Sequence, residues 1–87
     1  MALLREVTMF EDLKVQLVKA DADLCVYVTR DKVAATGKDE LWCFYDLMPE
    51  KKIKLVEGNA DVRVQYVNSA AQAGWKNKTH PLVGRIG

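Results

Sequence analysis

The chain lacks most of what catalytic and metal-binding proteins depend on. It holds one histidine and two cysteines in 87 residues, so a four-ligand zinc site cannot be assembled from Cys and His. No P-loop, nucleophile elbow, dinucleotide fingerprint or metal motif occurs anywhere, which removes the common sequence routes to phosphate, acyl-transfer and hydride chemistry. No run of eighteen apolar residues exists, so nothing reads as a spanning helix. An excess of one charge is missing too. Thirteen basic and twelve acidic side chains leave a net charge of +1, with no overall field to steer nucleic acid or an anionic membrane. The opening Met1-Ala2-Leu3-Leu4-Arg5 meets a charge too early for a secretory apolar region, and a cytoplasmic location is expected. With 49% hydrophobic residues the chain has the composition of one small folded domain rather than of a disordered segment.

What the sequence has is an eleven-residue repeat, written six times and interrupted once. Leu3-Leu4-Arg5-Glu6-Val7, Lys14-Val15-Gln16-Leu17-Val18 and Cys25-Val26-Tyr27-Val28-Thr29 form the first half. A sixteen-residue step leads to Leu41-Trp42-Cys43-Phe44-Tyr45, Lys52-Ile53-Lys54-Leu55-Val56 and Arg63-Val64-Gln65-Tyr66-Val67. The second position is always apolar (Leu4, Val15, Val26, Trp42, Ile53, Val64), and the fourth is apolar everywhere except at Glu6. Alternation with period two, carried by β-branched and aromatic residues, predicts six short strands with the second and fourth positions facing inward. An eleven-residue period also suits a right-handed helical coiled coil. That reading fails here, because the apolar residues sit two apart in one half of the repeat and Gly37, Pro49 and Gly58 occupy the other.

Between the strands lie turn residues, among them an acidic or amide column at Asp12, Asp23, Asp39, Glu50, Asp61 and Gln72. These are expected to accept N–H bonds from their own turns. Residues 34–38 are the insertion that breaks the period. They divide a single domain, residues 1–87, into halves at about 3–33 and 39–73, followed by a C-terminal segment at 74–87. Leu41-Trp42-Cys43-Phe44-Tyr45 is the most apolar run and reads as the central buried strand. Cys25 and Cys43 read as buried reduced thiols, since a free cysteine packs as a small hydrophobe; a disulfide would need their strands to pair side by side.

The repeat ends at Gln72-Ala73-Gly74-Trp75-Lys76-Asn77-Lys78-Thr79-His80-Pro81. An aromatic among cations suits stacking on a nucleic-acid base with phosphate contacts. The same residues suit a chain end pinned by a buried Trp75, and the structural reading is favoured. His80 is the one candidate general base, yet no serine, cysteine or carboxylate is marked as its partner.

Certain blocks resemble a known family: Lys14-Val15-x-x-Val18 followed by Ala22-Asp23-Leu24, the central Gly37-Lys38-Asp39-Glu40-Leu41-Trp42 with Phe44, Lys51-Lys52-Ile53, and Gly74-Trp75-Lys76-Asn77-Lys78. Together they resemble the septoil-knot family of small bacterial proteins, named for a seven-crossing torus knot. The resemblance implies a mainly β, deeply knotted chain and supplies no activity. The first copy, with Glu6 and Thr8-Met9-Phe10-Glu11, departs from the pattern. An unknotted short solenoid of paired strands is the alternative architecture.

The function expected is a small non-catalytic binding or interaction module, with Trp75, Lys76, Asn77, Lys78 and His80 as contact residues. The alternatives are a kinetically stable scaffold without a ligand, or single-stranded nucleic-acid binding through residues 74–80. No catalytic residue, metal or cofactor is expected. A protein partner or self-association through an open strand edge is the expected kind of contact, with membrane binding not expected and nucleic acid the weaker reading.

Overall fold

Six parallel strands form a closed ring in the computed structural model, which describes residues 3–35, 37–44 and 51–86. The strands are β1 (Leu3–Glu6), β2 (Leu13–Leu17), β3 (Leu24–Val28), β4 (Leu41–Phe44), β5 (Lys51–Leu55) and β6 (Val62–Tyr66). A single helical turn, α1 (Lys32–Ala35), joins β3 to β4, and a two-residue β7 (Gly74–Trp75) follows a 3-10 turn at Ala70–Gln72. Of the residues expected at the end of the fourth strand and in the turn after it, Tyr45, Pro49 and Glu50 lie outside the described residues.

The order around the ring is β4-β1-β5-β2-β6-β3, with β3 pairing back to β4. Each strand of the first half therefore lies between two strands of the second. Among the six, no strand pairs with another of its own half. This interleaving excludes the stacked solenoid, in which successive coils would lie side by side. The register slides steadily around the ring: Ile53 stands opposite Glu6 on one side and Leu13 on the other, and Val64 stands opposite Leu17 and Leu24. Such stagger is what closing a sheet into a barrel requires.

The connectors clasp the strands. The N–H of Val7 donates to the carbonyl of Ile53 and that of Asp12 to Lys52, so the link between β1 and β2 straddles β5. Val18 and Asp23 straddle β6 through Val64 and Arg63, and Val56 and Asp61 straddle β2 through Val15 and Lys14. The side-chain amide of Gln16, on the outer face of β2, reaches the Glu57 carbonyl in the link above it. Lys54, on the outer face of β5, lies 4.0 Å from Glu11.

The acidic column behaves differently from expectation. Asp12, Asp23 and Asp61 do not cap their own turns with their carboxylates. Each accepts a backbone N–H from the opposite half: Lys52 at 2.9 Å, Arg63 at 3.1 Å and Lys14 at 2.8 Å. Because the same aspartates donate their own N–H to those residues' carbonyls, each makes a reciprocal two-bond stitch that lengthens the ladder by one step.

All six second-position residues have 0% exposure and fill the barrel. Leu13, Leu24 and Val62 form a lower layer, and Ile86 with Leu82 and Trp75 closes that end. The fourth position points the same way but stands above the core: Leu17, Val28, Phe44, Leu55 and Tyr66 are 38–42% exposed. The inward phase of the pattern holds, yet these side chains line an open mouth rather than the interior. The extra central residues have a packing role. Ala35 of α1 buries a small cluster with Leu3, Cys43 and Leu41 on the outer face of β1 and β4, which explains why the β4 run is apolar on both faces. Cys25 and Cys43 are both free and buried.

Candidate functional site

The two ends of the barrel differ in kind. At the lower end, Asp39 organises a plug. Its carboxylate, 6% exposed, accepts the indole N–H of Trp75 at 2.9 Å and the main-chain N–H groups of Gly84 and Ile86. Its carbonyl accepts the indole N–H of Trp42 at 2.7 Å. One residue thus ties both tryptophans and the C-terminal segment to the barrel. The burial of a carboxylate is offset by these converging donors, as buried charge requires.

This geometry assigns the sequence-predicted contact residues. Trp75 is half-buried and stacks on His80, with ring centroids 5.2 Å apart. His80 Nδ1 accepts the N–H of Leu82 at 3.1 Å, and its Nε2 lies 3.8 Å from Asp23, beyond hydrogen-bond reach. The Asn77 side chain accepts from Thr79 and shapes a turn. Lys76 and Lys78 are exposed. The segment does gather these five residues, but the indole of Trp75 is already engaged by Asp39 at its N–H, by His80 at its ring and by the core. Two shallow clefts of about 450 and 430 Å³ flank the plug, sharing Asp12, Leu13 and Leu82. Asp12 and Asp61, which line them, already accept backbone N–H groups.

At the upper end nothing among the described residues closes the barrel. The ring there reads, in spatial order, Phe44, Glu6, Leu55, Leu17, Tyr66 and Val28. Trp42 forms its floor, meeting both Phe44 and Tyr66 edge-on at 6.3 Å. Burial raises the pKa of the Tyr66 phenol above its ordinary value near 10, and the negative charge of Glu6 raises it further. The single acid of the rim and its single hydroxyl therefore sense one another.

Close by, the link over β5 carries Met9 and Phe10, 63% and 82% exposed. Phe10 is held at a φ of 60°, where the same column of the repeat has Asp21 at 58° and Asn59 at 54°. Asp and Asn tolerate this left-handed region; an aromatic residue is strained there. Sequence reasoning missed the mouth because its residues share the inward phase of the core. The signal that marks it is the irregular first copy, where Glu6 and Phe10 depart from their columns.

Comparison with known families gives one result. The family model described as the 7(1) septoil knot domain matches residues 3–76. No curated protein matches the chain.

Proposed function

The chain belongs to the septoil knot domain family, and on that premise we propose that it is a small non-catalytic interaction module whose contact surface is the open upper mouth of the barrel. The observation that carries this reading is the ring of five apolar side chains left 38–42% exposed around a solid core. Exposed apolar clusters on a rigid support mark contact sites, whereas isolated exposed residues do not. The strained, solvent-facing Phe10 extends the same reading. It satisfies no packing need, and strain retained at an exposed aromatic points to a role outside the fold. Among the described residues the acids that line the clefts, Asp12 and Asp61, are already engaged by backbone N–H groups, and buried free thiols suit a reducing, cytoplasmic setting.

A second reading keeps residues 74–80 as the contact surface, supported by the exposed Lys76 and Lys78 beside Trp75. It is weaker because base stacking needs a free aromatic face, and Trp75 already stacks on His80.

Affinity capture with three forms of the full chain separates these readings. A partner held by the wild type and by Lys76→Glu/Lys78→Glu but lost with Leu17→Asp/Leu55→Asp supports the mouth. Loss only with the lysine variant moves the site to the tail. A parallel NMR titration of the Trp75 indole N–H against mononucleotides and short single-stranded RNA reports any nucleic-acid binding directly. No specific capture and no shift would leave a scaffold without a ligand.

A further inference from the structure

Resting on the reading of the upper mouth as a contact surface, we infer that this mouth receives a cationic side chain, lysine or arginine, presented between apolar residues of a protein partner. Three observations carry this. The six ring positions are apolar except for Glu6 and the Tyr66 hydroxyl, so the one full charge among these described positions is a carboxylate. Glu6 has no architectural reason to be there, because the equivalent position in the other half is Phe44 and every other copy is apolar. Among the described residues Glu6 forms no salt bridge, whereas Glu11 and Asp23 each lie within 4.0 Å of a basic side chain.

The chemistry follows from the setting. Glu6 is solvent-facing and stands in the ring between Phe44 of β4 and Leu55 of β5, so a cation that pairs with it also meets an aromatic ring and an apolar wall. Phe44 and Tyr66 add aromatic faces, which bind ammonium and guanidinium groups. Apolar side chains flanking the cation would cover the exposed leucines and valine, so the partner carries both features. The closed ladder offers no strand edge at this mouth, so a side-chain contact rather than strand addition is the available mode. A lone lysine or arginine stem reaches several ångströms, and its methylene groups pack on apolar walls while the head stays polar.

The test uses the full chain and three short capped peptides, each with one central residue between two leucines. The central residue is arginine, lysine or the neutral arginine isostere citrulline. The expected result is a saturable NMR shift at Glu6, Phe44, Tyr66 and the Trp42 side chain with the two cationic peptides, and at least about tenfold weaker binding by citrulline, the scale of a lost charge-assisted bond. Glu6→Gln, a conservative change at an exposed position, should weaken the cationic peptides to the citrulline level while leaving citrulline unchanged. Equal shifts with all three peptides would overturn the inference and leave the mouth as an apolar contact surface. No peptide shift, with rim resonances that move on raising protein concentration, would also overturn it, in favour of a second copy of this chain. Shifts confined to residues 74–80 would overturn both this inference and the reading it rests on.

Discussion

At Phe10 the repeat demands a left-handed backbone, and the chain answers with a residue ill suited to it. Replacing Phe10 with Asn, the residue that fills this column at Asn59, should raise stability by about 1 kcal/mol, because nothing buried is lost from a side chain 82% exposed. Denaturant unfolding checks it, and a loss of stability would mean that Phe10 packs in solution. The opposite extreme is Trp42, fully buried and touching both rim aromatics. Trp42→Ala should cost about 3–5 kcal/mol, and a loss under about 1 kcal/mol would contradict the packing described. Tyr66 provides a pH handle. Its phenol is held protonated to higher pH in the folded chain than in the unfolded one, by burial first and Glu6 second. The folded state then binds more protons in that range, so this contribution to stability is present below pH 10 and fades as pH rises through the elevated folded pKa. Ultraviolet difference titration of wild type against Tyr66→Phe should show the raised value, and Glu6→Gln should lower it only in part, since burial persists.

Among the elements, the tail plug is the most separable. Three N–H groups from residues 75, 84 and 86 converge on Asp39, so Asp39→Ala leaves those donors without their acceptor and should cost about 3 kcal/mol. The loss should be local. Amide exchange at Gly84 and Ile86 is expected to accelerate well before that of Val15 or Val64, which belong to the ring; uniform acceleration would show that plug and barrel open together. The strands were legible in the sequence to within a residue or so, because the inward column from Leu4 to Val64 is a local pattern set by pleat geometry. The partners of Asp12, Asp23 and Asp61 were not legible. A carboxylate one residue from a strand looks like a turn former, and only the neighbouring strand's position reveals that its bond crosses 40 or 47 residues of sequence. The helical turn α1 was hidden for a similar reason, since residues 34–38 read as a break in the period until the surface they cover is known.

For the whole molecule, interleaving governs behaviour. The links β1–β2, β2–β3 and β5–β6 each span a strand of the other half, and most neighbouring strands lie far apart in sequence, so folding must wait for long loops to close. Leaving the native state requires strands to slide out from beneath their clasps. The unfolding rate in water is expected to lie well below about 1 per second, toward the slow part of the usual range. Stopped-flow tryptophan fluorescence extrapolated from denaturant measures it, and a faster rate would remove kinetic persistence as a consequence of this fold. Residues 3–33 alone should stay unfolded by circular dichroism, since β1, β2 and β3 have no pairing with one another.

The sequence by itself determined where the strands lie, which face of each turns inward and where the period breaks. These are local matters of side-chain period and composition. Only the tertiary structure decided which strands are neighbours, what the aspartates hold, and that one mouth is plugged by Asp39 and the tail while, among the described residues, none covers the other, where Glu6 and Tyr66 stand. The physical reason is that periodicity encodes a direction, inward or outward, at each residue. Any winding that keeps that direction satisfies it equally, and the choice among windings rests on hydrogen bonds and packing between segments mostly 40 or 47 residues apart.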